Sequence, residues 1–265
     1  MNGKFKVFGV YFFLSTVIVL VMLPMAAALW GSLQHQITPE SSILSWSNYA
    51  QVFQHPGLFR SILTSLMTAS AVMILVVLAS SLGAYGLCRY SPPGLRMVLG
   101  WLISLRMFPL LLMLIPLFRF FMQTGLSNTV WGIILAQGAF LLPASFWLSL
   151  VYFRQIPIEV YEAAEVDGAP VWVVMYRIVW PLVAPGIGVI AFLTFVHSWN
   201  DYVIVSIVTQ SLQVSTLPFT LVNMVNSVQG NQGVILALAC LLALPPIVLY
   251  LVVQRQFHKG WLSTL

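Results

Sequence analysis

Charge is what this 265-residue sequence has least of: only 6% of its residues are Asp, Glu, Lys or Arg, against 60% that are hydrophobic. Soluble domains carry about a quarter charged residues, so a water-solvated fold is excluded and lipid is the expected solvent. Lysine is nearly absent, with Lys4, Lys6 and Lys259 followed by Phe, Val and Gly. A phosphate-cradling P-loop needs Lys followed by Ser or Thr, so this chain has no such loop with which to bind ATP. Cysteine is limited to Cys88 and Cys240, far apart and inside apolar stretches, which excludes a disulfide framework. His35, His55, His197 and His258 are scattered and give no metal-ligand spacing, so no metal site is expected. HExxH, a GxSxG elbow and a carboxylate pair within one apolar run are all missing, which argues against an intramembrane hydrolase. The net charge of +5 comes from basic residues strewn between apolar runs, with no contiguous patch for nucleic acid.

What is present is a succession of apolar runs long enough to cross a bilayer, which takes about 20 residues. Six are expected, over approximately 7–30, 62–88, 97–121, 129–153, 181–207 and 233–254. The first begins after Lys4 and Lys6 and ends in Ala26, Ala27 and Ala28, like a secretory signal with its cleavage site. It exceeds the roughly 7–15 residues of a signal core and is read as a retained helix. With the N-terminus inside, Lys4, Lys6, Arg89, Arg96, Arg154, Arg177, Arg255 and Lys259 all face the cytoplasm, satisfying the positive-inside rule. The expected fold is therefore an all-α, multi-pass membrane protein of one domain, residues 1–265, with six transmembrane helices and both termini cytoplasmic. The loops over 31–61 and 208–232 fall outside, the second uncharged and rich in Ser, Thr, Asn and Gln.

The loop over 154–180 holds four of the six acids, Glu159, Glu162, Glu165 and Asp167, within nine positions. Pro157 followed by Ile158 to Glu165 reads as a short cytoplasmic helix between spans four and five, with Pro and acid in its first turn, stopped by Gly168. Three glutamates at i, i+3 spacing repel by roughly 0.2–0.5 kcal/mol per pair, and a helix so short is marginal alone. On local physics, either these acids complement the helix dipole in a solvated loop, or they await a basic partner.

The wider pattern resembles a known family. Glu162-Ala163-Ala164, then Gly168, then Ile178 and Pro181, is similar to the EAA signature of ABC importer permeases, with Trp180 where that pattern usually has Leu. Asn48-Tyr49, Gly83-Ala84-Tyr85-Gly86-Leu87, Gly125-Leu126-Ser127-Asn128, Ser198-Trp199-Asn200-Asp201 and Gln254-Arg255 resemble the maltose-type carbohydrate permeases along nearly the whole chain. The resemblance implies that segment 157–170 is a coupling helix docking into a cytosolic ATPase, with Glu162, Ala163, Ala164, Asp167 and Gly168 as its ATPase-coupling residues. It implies a complex with a second homologous permease, two ATPase subunits and an extracytoplasmic substrate-binding protein, in a bacterial cytoplasmic membrane. No cofactor is expected in this chain; ATP and magnesium would sit on the ATPases. The implied cargo is a sugar or oligosaccharide, with a polyol or glycerol-phosphate left open. The alternative is an ion-coupled secondary transporter of a small polar solute, although only Arg106 and Asp201 are ionisable within spans and no internal repeat is visible.

Arg106, Gln137, Trp199, Asn200 and Asp201 are the candidate translocation-path residues, because aromatic faces and hydroxyl-binding groups suit a sugar. The competing reading is structural: Asn and Asp cap or bridge helices, and Arg106 can bond backbone freed near Pro109. Counted along continuous helices, Arg106 lies roughly 14 Å and Asp201 roughly 27–30 Å from the inner side, which separates them. Pro181 and Pro185 stand at the start of the fifth span, where they either kink it or end the interfacial helix before it.

Overall fold

The computed structural model describes residues 2–38, 41–90, 93–107, 109–209, 214–227 and 231–262. It is nearly all-helical. In chain order the elements are α1 (Asn2–Leu33), a hairpin of β1 (Gln34–Thr38) and β2 (Ser41–Leu44), α2 (Ser47–Gln54), α3 (Leu58–Tyr90), α4 (Leu95–Met107) and α5 (Leu110–Gln123). They continue with α6 (Val130–Phe153), α7 (Ile158–Val166), α8 (Val171–Val173), a π-helical turn over Val174–Val179, α9 (Trp180–Asn200), α10 (Val203–Val208), α11 (Leu217–Ser227) and α12 (Gln232–Leu262). The hairpin corrects the expectation of an all-α chain: β1 and β2 pair antiparallel with Gln34 opposite Leu44.

Among the described residues, five helical stretches are long and apolar enough to cross a membrane: Val7–Leu33, Leu58–Tyr90, Val130–Phe153, Val171–Asn200 and Gln232–Gln254. The expected run over 97–121 is not one helix but two, α4 and α5, with Pro109 at the N-cap of the second. Proline has no N–H to donate and its ring excludes the preceding carbonyl, so the ladder stops there although hydropathy runs on. The opposite occurs at Pro181, where the helix continues. The π-helical turn just before it widens the spiral, a form that absorbs an interrupted hydrogen-bond ladder, and Pro181 takes a first-turn position of α9 where its missing N–H costs little.

The chain packs as two compact units, Met1–Phe59 with Thr220–Leu244, and Arg60–Phe219 with Pro245–Leu265. In the first, buried Asn48 on α2 ties the end of α1 to the hairpin. Its amide donates to the carbonyls of Ser32 at 2.9 Å and Gln34 at 2.8 Å, while the Tyr49 hydroxyl meets the Ser32 hydroxyl at 2.8 Å. Gly233 packs so tightly on Asn48 that a side chain there would collide with it. Within this unit α1 is a long apolar helix whose side chains over Val7–Leu29 are almost all exposed.

In the second unit α6 is the hub. Its N-terminal half packs Ile133 and Ala136 against Phe121 of α5 and Ile204, Val205 and Val208 of α10. Its middle packs Ile134 and Leu141 against Val72 and Val76 of α3. Its C-terminal end joins Leu150 and Phe153 to Ala84 and Tyr85 of α3, Tyr161 and Ala164 of α7, and Val174, Met175, Val179 and Val183. Between these layers buried hydroxyls pair across helices, Ser149 with Ser80 at 3.1 Å and Ser145 with Thr194 at 3.2 Å. Small polar residues of this kind let apolar helices approach closely and hydrogen-bond where lipid offers no partner.

Candidate functional site

The acidic segment folds as its local chemistry dictates. Pro157, extended, precedes α7, and Glu159 lies in the first turn, where the helix dipole favours negative charge. At the other end Gly168 takes φ +70°, its N–H donating to the Glu165 carbonyl at 3.0 Å while the N–H of Ala169 donates to that of Ala164 at 3.0 Å. Those two bonds make a Schellman stop, whose left-handed residue is most readily glycine. Gly168 thus ends α7 in this chain. Tyr161 and Ala164, three residues apart, are the buried face of α7, and the Tyr161 ring tilts against Tyr85 with centroids 5.9 Å apart.

The remaining faces of α7 carry the acids, and the structure divides them. Glu165 pairs with Arg89 at the end of α3. Glu159, Glu162 and Asp167 are exposed, with no ion-pair partner among the described residues. Around them stand exposed apolar side chains, Ile158, Val166, Val171, Trp172 and Tyr176. Trp180, the departure from the family pattern, is partly buried against the cluster around Phe153, Tyr161 and Val179 and meets Tyr176 edge-to-face at 5.0 Å.

A second constellation forms where α9 ends. Asn200 is the last helical residue, Asp201 is extended, and α10 begins at Val203. One Asp201 oxygen accepts the Ile204 N–H at 3.2 Å, capping the new helix, and the other accepts from the Gln137 amide at 3.0 Å. Gln137 is buried on α6; the Ser198 hydroxyl donates to its oxygen at 2.6 Å. Membrane proteins tolerate a broken helix where its freed groups are re-satisfied, and this network does so. Beside it lies a cavity of about 370 Å³ walled by Gln137, Phe140, His197, Asn200, Asp201 and Ile204 among others.

Of the five residues singled out for a path, the structure brings Gln137, Asn200 and Asp201 together on this cavity. Trp199 is buried and stacked on Phe195 at 5.9 Å rather than on the cavity wall. Arg106 lies on α4, and its side chain falls outside the described residues. Sequence reasoning missed both pairings, Gln137 with Asp201 and Arg89 with Glu165; positive-inside Arg89 and the expected need of the acids for a base were the available signals for the second.

Residues 76–261 match a family model described as binding-protein-dependent transport system inner membrane component. The trehalose transport system permease protein SugB of Mycobacterium tuberculosis is 30% identical over 224 residues, covering 84% of this chain and 82% of that one. The trehalose/maltose transport system permease protein MalG of Thermococcus litoralis is 30% identical over 217 residues, covering 80% and 78%. Among solved structures, a bacterial ABC transporter involved in the import of the acidic polysaccharide alginate contains a chain that superimposes with a TM-score of 0.84 at 19% identity, over 97% of this chain and 99% of that one. That likeness establishes the fold.

Proposed function

The chain belongs to the family of binding-protein-dependent transport system inner membrane components, and from that premise we propose that it carries a sugar or oligosaccharide across a bacterial cytoplasmic membrane. It is a non-enzymatic permease subunit. It pairs with a second homologous permease, receives cargo from an extracytoplasmic substrate-binding protein, and is driven by two ATPase subunits that hold the ATP and magnesium. The whole of 1–265 serves as one importer transmembrane domain with both termini cytoplasmic, and α4 with α5 makes a broken third crossing that brings the count to six. Sugar transport is supported by the relatives, among them the trehalose permease SugB and the trehalose/maltose permease MalG.

The observation that carries the mechanism is α7. Its inner face is locked by Tyr161, Ala164 and the Gly168 stop, and its outer face presents Glu162 with Ala163 and Asp167 beside exposed Trp172. A rigid acidic helix flanked by apolar side chains suits a basic, partly apolar cleft, as expected of an ATPase surface. Closure of the ATPase pair would drag α7 and, through the core cluster it shares with α3, α6 and α9, tilt those helices, the two-state switching that alternating access requires. Gln137, Asn200 and Asp201, with Arg106 and Trp199 in support, would line or brace the path at the helix break, and the 208–232 segment would meet the binding protein.

Uptake of radiolabelled disaccharide into vesicles containing both permeases, the binding protein and the ATPase tests this reading. Uptake should require the ATPase and internal ATP. Uptake that persists when the ATPase is omitted and collapses with the ion gradient would establish a secondary carrier instead.

A further inference from the structure

Where the C-terminal ends of α3 and α6 meet the start of α7 there is a second cavity, of about 160 Å³. Its wall is divided about evenly between apolar surface, from Leu87, Phe153, Ile156 and Ile158, and polar surface, and it includes Cys88, Arg154 and Tyr161. Tyr161 is only 2% exposed, yet its hydroxyl has no hydrogen-bond partner among the described residues. A buried hydroxyl left unmet loses its desolvation free energy, so native proteins rarely keep one without a ligand or water to answer it.

The closing carbonyls of α6, those of Leu150, Tyr152 and Phe153, are already bonded by the N–H groups of Arg154, Gln155 and Ile156. At α7 the reverse holds: Pro157 provides no side-chain cap, so the first-turn amides at Ile158 and Glu159 have no side chain to meet them. Arg154, exposed, is one of the lining residues, whereas Arg89 is already matched by Glu165. Uncapped amides, a guanidinium and an unanswered phenol around a half-apolar wall describe a receptor for a negative group carrying a small apolar body. A cavity of roughly 150 Å³ takes a benzene-sized molecule.

We propose that this cavity binds a small monocarboxylate of about benzoate size, its carboxylate held by the Tyr161 hydroxyl, the Arg154 guanidinium and the first-turn amides of α7, its body lying against Ile156, Phe153 and Leu87. Such a ligand wedges α7 against α3 and α6, at the root of the acidic helix, and so offers a cytosolic acid a handle on that helix. The binding claim stands independently of the transport reading.

Cys88 supplies a native reporter, because replacing Cys240 by Ser leaves it the sole thiol of the chain. The full-length C240S protein, in detergent, is alkylated with a small maleimide in the presence of benzoate, with benzyl alcohol as the neutral twin. Benzoate should slow alkylation as 1 + [L]/Kd, about threefold at a concentration of about twice Kd. Benzyl alcohol should not. Tyr161→Phe keeps the ring and its packing and should weaken protection about tenfold, the loss of one hydrogen bond to a charged group; Arg154→Gln should weaken it as well. Equal protection by benzyl alcohol, undiminished protection in Y161F, no protection at all, or a Cys88 that maleimide cannot reach would each overturn the proposal.

Discussion

Gly168 offers the sharpest quantitative test of the reading that α7 is a rigid docking element. Its φ of +70° is the left-handed conformation, and the space where a Cβ would stand is empty, with nothing within 4 Å. Alanine there meets no neighbour, so its cost is purely conformational, roughly 1–2 kcal/mol. The penalty falls on the stop that holds Gly168 N–H to the Glu165 carbonyl and Ala169 N–H to that of Ala164, each 3.0 Å. A stop competing with a frayed end should therefore lose a factor of roughly 5–30 in population. Asn adopts the left-handed conformation more readily and should recover most of the loss. The assay is the dissociation constant of the ATPase for the permease pair in nanodiscs: G168A should weaken it by up to that factor and G168N by far less. Wild-type affinity in G168A, or equal damage from both substitutions, would refute the reasoning.

The Arg89–Glu165 pair joins a side chain that is 20% exposed to one that is 71% exposed, so solvent screening limits its worth. A double-mutant cycle of R89Q and E165Q on thermal unfolding should give a coupling of roughly 0.2–1 kcal/mol that shrinks with added salt. Asp201→Ala leaves the buried Gln137 amide and the Ile204 N–H without a carboxylate and should lower stability in detergent by about 1–3 kcal/mol. Asn200→Ala removes only an exposed side chain bonded to its own helix at 3.0 Å; if the cavity is on the path, it should slow uptake at unchanged stability, and unchanged uptake removes it from the path. Burial pushes the Tyr161 phenol up to about 12, with Cys88 and Tyr85 adding to the effect. Because the folded value lies above the unfolded one, its contribution is intact below about pH 10 and is lost as pH rises from there to about 12. Wild-type unfolding should steepen across that window, and Y161F should flatten the profile.

What the sequence disclosed was local or additive. The apolar runs are sums over some twenty residues, and five of the six appear as helices of spanning length. The α7 stop was legible because glycine follows a short acidic helix, a signal contained within one turn. The sixth run failed as a single helix because hydropathy averages across Pro109, whereas the backbone cannot. The hairpin after α1 was passed over because nine strand residues in a polar loop weigh little against helices three times their length. At the candidate path, depth counted along an unbroken helix cannot foresee the break at Asp201, nor that Gln137, 64 positions away, would answer its carboxylate. Arg89 and Glu165 stand 76 positions apart and are brought together only by the core cluster, through Tyr85 on Tyr161. The need of the acids for a base was legible along the chain, but which base answers which acid is decided only by the tertiary packing.

Charge reversal at Glu162 tests the central claim most directly. The side chain is exposed and has no ion-pair partner among the described residues, so Glu162→Lys should leave the fold and the thermal transition of the chain unchanged. ATP-driven disaccharide uptake, measured in vesicles with both permeases, the binding protein and the ATPase, should fall to background as the ATPase ceases to engage. Uptake at the wild-type rate by correctly folded E162K would contradict the account.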